Sequence, residues 1–315
     1  MLLLWQRFIL FKLNLQIYMK IYDCFMFSDE KMILDIRLNV LNEHVDHFVI
    51  VESKYKHNGD VKNRNFDISQ YSKFKNKIIY IYLDNEPNGL VATDIKNNEN
   101  KKNERILHNT YLRENYQRNM ISEGLLNAKR NDFIIISDID EIPNLKKINF
   151  KEKIDNIFIF QQKMFYYKLN LFYKLMPWYG SKACKKKYFK SPQWLRSIKN
   201  KKYPAWRFDI LFSQLKYNDI YYVENGGWHF TNVRQPIELK KKLSNFLHHV
   251  DFKKSGLDLE DLKRLMQEKK VMYNHKIDKR GHKWGEGEKL QTITLEEMPK
   301  YIIENTEKYR PWLDS

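Results

Sequence analysis

Three nearly unbroken apolar runs most constrain the fold of this chain. They are FVIV inside His47–Ser53, IIYIYL inside Lys77–Leu83 and FIII inside Asp132–Ser137. None alternates apolar with polar residues, so each reads as a strand covered on both faces, the mark of a parallel sheet. Helical patterns stand between them. Leu34, Leu38 and Leu41 recur at helical spacing after Asp29, a candidate N-cap, and Glu104–Ala128 has few breakers. A short strand over Lys20–Phe25 precedes the first helix, and the polar stretch 84–102, with Pro87 and Gly89, reads as a loop. Strand, helix and strand in repeated order imply a right-handed parallel α/β arrangement, in which ligands bind beyond the carboxyl ends of the strands. Further on, Ile157–Asn170 and Ile220–Glu224 read as strand, and Pro236–His249, Leu257–Met272 and Leu295–Lys308 as helix.

The segment before the first strand, LLLWQRFILFKLNLQIY over residues 2–18, is apolar but broken by Arg7, Lys12 and Gln16. It is too short and too charged to span a bilayer, and it suits an interfacial helix or an extension outside the functional domain. The expected division is therefore an N-terminal extension, 1–18, and one domain over 19–315 with C-terminal helices. Two cysteines, Cys24 and Cys184, exclude a disulfide framework or a Cys-rich zinc module and favour a reducing, cytoplasmic setting. A net charge of +17 suggests an anionic partner, whether nucleic acid, a membrane surface or a phosphorylated small molecule. The basic residues lie in short, separated clusters such as Lys240-Lys241-Lys242 rather than in one long tail, which fits a lysine-rich composition equally well.

The third buried run ends in Asp138-Ile139-Asp140-Glu141. Like charges this close repel, which raises a carboxyl pKa unless a cation neutralises them. A hard divalent ion, bound by one or two carboxylates and substrate phosphates, would do so. A phosphatase nucleophile loop also carries an Asp-x-Asp after an apolar strand, but here the motif lies deep in the chain and continues Glu-Ile-Pro.

With these residues in view, the segment IYDCFMFSDEKMILDIRLNVLNEHVDHFVIVES resembles the opening of glycosyltransferase family 17. RENYQRN at Arg113–Asn119, IIISDIDEIP at Ile134–Pro143, GGWHF at Gly226–Phe230 and MPKYIIENTEKY at Met298–Tyr309 follow in the family's order. The resemblance implies a GT-A type nucleotide-sugar-binding fold and inverting transfer, with Mn²⁺ or Mg²⁺ at Asp138 and Asp140. It further implies a UDP-sugar donor, UDP-GlcNAc foremost, with Asp138 also at the donor. A glycan or lipid-linked glycan of the microbial surface is the expected acceptor, reached with or without peripheral membrane association.

The remaining candidates follow from that chemistry. Arg113 and Gln117, one helical turn apart, and Arg118 are suited to a diphosphate, because guanidinium matches phosphate oxygens. Glu52, which ends a strand, is either a nucleoside contact or a loop acid. His229, after two glycines that permit close backbone approach, is either a third metal ligand, an acceptor contact or a core histidine. Glu141, Asp209 and Glu224 are the candidates for the general base. Tyr166, Tyr167, Trp178 and Trp206 are either sugar platforms or core. A non-enzymatic nucleic-acid binder is the competing reading, and a phosphate-backbone binder gains nothing from three acids at a strand end.

Overall fold

The computed structural model describes residues 19–96, 98–150, 156–204, 206–244, 249–274, 284 and 287–314, with the side chains of 249 and 250 excluded. The 1–18 extension lies outside them. In chain order the first half comprises β1 (Ile21–Phe27), α1 (Lys31–Leu41), β2 (His47–Ser53), β3 (Ile78–Leu83), α2 (Glu99–Asn119), β4 (Phe133–Ser137) and β5 (Glu141–Pro143). Then come β6 (Ile157–Phe160), β7 (Gln162–Tyr166), β8 (Leu171–Trp178), β9 (Lys182–Lys185), α3 (Pro192–Ser197), β10 (Ile220–Val223) and β11 (Gly227–Thr231). The chain closes with α4 (Pro236–Leu243), α5 (His249–Ser255), α6 (Leu259–Gln267), β12 (Gln291–Thr292), α7 (Lys300–Glu304) and α8 (Thr306–Tyr309).

Two sheets result. The main one has seven strands in the order β10-β6-β9-β4-β1-β2-β3 and is parallel except for β9, which runs against β4 and β6. With helices flanking it, this is the expected α/β class, consistent with a GT-A arrangement. The order runs outward from β1 through β2 to β3, then returns to place β4 on the other side of β1. The chain thus reverses direction across the sheet between β1 and β4, and adjacent carboxyl ends open a crevice there. The second sheet, β12-β8-β7-β11-β5, sets His229 on β11 opposite Glu141 on β5.

Several boundaries differ from the sequence reading. Helix α1 starts at Lys31 without a side-chain cap, and Asp29 pairs with Arg234 instead (2.6 Å). Helix α2 starts at Glu99, inside the expected loop, because the Asn98 side chain caps it by accepting from the Lys101 amide (2.9 Å). It then tightens into a 3₁₀ turn over Met120–Leu125. Strand β3 is the sheet edge and only half buried. Ile157–Asn170 is two strands in different sheets, parted at Gln161, whose amide and carbonyl bond to Val223 and Gly226. The three C-terminal helical readings shorten or break. Leu295–Lys308 divides at Pro299 and Asn305, and Met298, Ile302 and the following Tyr309 join the core that lies over β1, β2 and α1.

One charged side chain sits inside that core. Arg37 occupies the apolar face of α1 beside Leu34, Leu38 and Leu41 and has no solvent exposure. Its Nε and Nη2 donate to the two oxygens of Asp23 on β1 at 2.7 and 2.6 Å. Its Nη1 donates to the carbonyls of Asp138, Ile139 and Glu141 at 3.1, 3.1 and 2.7 Å. Removing one partner of a buried pair strands the other charge. Arg37→Met is expected to cost about 3–5 kcal/mol in urea unfolding, and Asp23→Leu added to it to recover most of that. Equal stability of wild type and single variant would contradict this.

Candidate functional site

The acidic turn after β4 faces a cleft of about 590 Å³ at the crevice between β1 and β4. Ser28–Glu30 after β1, Tyr55–His57 after β2, Asp138–Asp140 after β4 and the α4 residues Glu238, Lys241 and Lys242 line it, with Lys62, Glu114, Gln117, Arg118 and Arg234. Six lysines and arginines thus surround a turn of acids, as a bound polyanion with its own counter-ion would require.

Asp138 and Asp140 share this cleft but have different partners. Asp138 accepts from Arg196 Nη2 on α3 (2.6 Å) and pairs with Arg118 Nη2 on α2 (3.3 Å). Burial alone would raise its carboxyl, but Arg196 and then Arg118 hold it below the usual range. Asp140 lies 3.6 Å from His229 Nε2 and 3.9 Å from Lys242 Nζ. Burial again works to raise it, and the facing imidazole and ammonium hold it down. Both acids therefore stay ionised at neutral pH. The repulsion expected from the sequence is relieved by arginine, lysine and histidine side chains.

Glu141 is fully buried behind the turn. It accepts from the Asp138 amide (2.8 Å), from Trp178 Nε1 (2.6 Å) and from both terminal nitrogens of Arg196 (2.8 Å each). It has no face to the cleft and braces the turn from behind. Gly180 lets it fit, since a Cβ there would stand 1.9 Å from Glu141 Oε1. His229 stacks on Trp178 (4.7 Å between centroids) with Nδ1 buried and without a hydrogen-bond partner. The close backbone approach expected of its glycines is found at Gly227 (φ 132°), where a Cβ would meet the Ile142 carbonyl at 2.1 Å.

The other candidates divide. Gln117 and Arg118 line the cleft; Gln117 bonds the Val51 carbonyl (2.9 Å) and His57 Nε2 (3.1 Å). Arg113 instead pairs with Glu86 (2.6 Å) and packs under Gly59. Glu52 is buried, taking Lys62, the Asn65 and Phe66 amides (2.8 and 3.0 Å) and the Tyr80 hydroxyl (2.9 Å), so it ties down the loop after β2 rather than meeting a nucleoside. Asp209 sits on an exposed turn between Arg207 and Lys216 (2.7 and 2.5 Å), which hold its carboxyl low. Glu224 lines a separate groove with Gln162 and Lys174. None of the three base candidates lines the cleft. Tyr166 and Tyr167 are core. Arg37 and Arg196 escaped the sequence reading; the signal for Arg37 was an arginine on an apolar helix face fourteen residues after an aspartate in an apolar strand, while Arg196 had none.

Among the described residues no group of three His, Cys, Asp or Glu side chains is placed to hold a metal ion. The donors present fit an ion held by Asp140 and a ligand's own phosphates, not a closed protein cage. No helix among these residues is long and apolar enough to cross a membrane.

A family model for glycosyltransferase family 17 matches residues 12–314. No curated protein matches the chain. Among solved structures, the crystal structure of HddC from Yersinia pseudotuberculosis is similar at 9% identity and TM-score 0.29, over 66% of this chain and 91% of that one; a likeness so remote has no bearing on function.

Gly180→Ala is expected to displace Glu141 and release Arg196 from Asp138, lowering stability by about 3 kcal/mol. A melting curve unchanged from wild type would show that the brace is dispensable.

Proposed function

From the premise that the chain belongs to glycosyltransferase family 17 and is a glycosyltransferase, we propose that it moves N-acetylglucosamine from UDP-GlcNAc to a surface-glycan acceptor, with inversion. The observation that carries this is the acidic turn facing a basic cleft at the point where the sheet reverses. Arg118, Lys62, Lys241 and Lys242 are suited to the diphosphate, whose negative charge grows as the sugar bond breaks. Asp140, with His229 beside it and the diphosphate opposite, would hold Mn²⁺ or Mg²⁺, which would stabilise that leaving group. Asp138, balanced by two arginines, orients Arg118 toward the cleft.

An inverting transfer needs a base for the acceptor hydroxyl as that oxygen bonds to the anomeric carbon. Glu238 fits this part best. It is exposed to the cleft, one helical turn before Lys242 on α4, and takes a long bond of 3.4 Å from the Gln235 amide. Buried, unpaired Cys24 and Cys184 are compatible with work in the reducing cytoplasm. The family match also removes the ground for a non-enzymatic nucleic-acid binder.

A thermal-shift titration with UDP-GlcNAc, with and without Mn²⁺, tests the donor. Stabilisation of about 2.7 kcal/mol is expected at a hundredfold excess over Kd. Asp140→Asn is expected to lower the UDP release rate by roughly 10²-fold and to lower the apo melting point only modestly, by the lost pairing with His229 and Lys242. Stabilisation by no nucleotide sugar, in metal or chelator, would overturn the reading.

A further inference from the structure

The segment between α3 and β10 carries apolar side chains where a globular surface has no use for them. Trp206 is 71% exposed, Phe208 73%, Leu211 79% and Phe212 88%. They lie within seven residues around the 3₁₀ turn Phe208–Ile210. Scattered exposed hydrophobes are ordinary, but two phenyl rings, an indole and a leucine on one short loop are not.

The loop is built, not frayed. Its base is closed by the Lys199 amide donating to the Leu215 carbonyl (2.8 Å) and by Trp194 Nε1 donating to the Gln214 carbonyl (2.7 Å). Tyr217 packs edge-on against Trp194 (5.9 Å), and Leu215 and Tyr217 rest on the core. Within the loop, Asp209 clasps Arg207 and Lys216. Tyr203 lies within 6.0 Å of Lys201, Arg207 and Lys216. The anchored ends leave the apolar side chains turned to solvent.

The charge around them is of one sign. Residues 199–217 contain Lys199, Lys201, Lys202, Arg207 and Lys216 against the single acid Asp209, which two of those cations already neutralise. Aromatic and aliphatic tips on a loop that also carries five lysines and arginines match the two layers of a bilayer interface, acyl chains below and anionic headgroups above.

We propose that the loop Lys199–Tyr217 is a membrane-docking surface that inserts Trp206, Phe208, Leu211 and Phe212 into the interface of an anionic bilayer. The loop begins three residues after Arg196, which holds Asp138 and Glu141, so docking sets the lipid surface on the element that braces the acidic turn. The surface is independent of the donor assignment, because vesicle binding is measured without nucleotide or metal.

The test is flotation of the full-length chain with phosphatidylcholine vesicles, with and without phosphatidylglycerol, at low and high salt. Wild type is expected to bind the phosphatidylglycerol vesicles and to weaken with salt. Phe208→Ser with Phe212→Ser is expected to lower that binding by at least about tenfold, each ring being a buried apolar group lost. Lys201→Glu with Lys202→Glu is expected to lower binding to anionic vesicles alone. Brominated acyl chains are expected to quench fluorescence in wild type and to quench less in Trp206→Phe. Undiminished binding by the Phe208→Ser, Phe212→Ser chain overturns the proposal by placing the contact elsewhere, residues 2–18 included. Absence of wild-type binding overturns it too. So does a dimer that forms without vesicles and is lost in the same variant, because a second copy would then cover the loop.

Discussion

The site depends first on a buried guanidinium. A charge without solvent is tolerable only when it is paired and its hydrogen-bonding groups are filled. Arg37 meets both conditions at once, with Asp23 on one edge and three carbonyls of the acidic turn on the other. Those carbonyls turn inward toward the buried guanidinium, which donates to all three. With the turn held this way, the Asp138 and Asp140 side chains face the cleft. Such a pair adds little net stability over apolar replacement, so its value lies in the shape it enforces on the turn.

A second layer fixes the turn from the other side. Arg196 spans Asp138 and Glu141, Trp178 fills the remaining lone pair of Glu141, and the same indole carries His229 on its face. The two sheets are thereby joined at the site, since Asp138 follows a strand of one and Glu141, Trp178 and His229 belong to the other. Two glycines make the approach possible, Gly180 against the Glu141 carboxylate and Gly227 against the β5 backbone. Asp140, facing His229 and Lys242 in the cleft, is the carboxylate of the turn that we propose for a cation.

Much of the fold was legible because burial on both faces writes itself as unbroken aliphatic runs. His47–Ser53 and the run ending at Ser137 were found to within a residue, and with them the carboxyl ends where Asp138 sits. The edge strand β3 was read as buried because apolar content alone does not tell an edge from a centre. The carboxylates were harder. Glu52 and Glu141 look in sequence like reactive acids at strand ends, and both are consumed by amides and cations supplied from up to 55 residues away. Arg113 and Arg118 stand five residues apart on one helix, and only their rotation about its axis separates an ion pair with Glu86 from a place in the cleft. Partnerships of that range leave no periodicity to read.

The most direct test uses a chain in which the buried pair is replaced by apolar groups, Asp23→Leu with Arg37→Met, studied where it remains folded. Calorimetric titration with UDP and Mn²⁺ then reports on the turn alone. If Arg37 shapes the site, affinity is expected to fall by at least about tenfold, a loss of roughly 1.4 kcal/mol, in a chain whose far-ultraviolet spectrum is unchanged. A folded variant that binds UDP and Mn²⁺ as tightly as wild type would contradict the account.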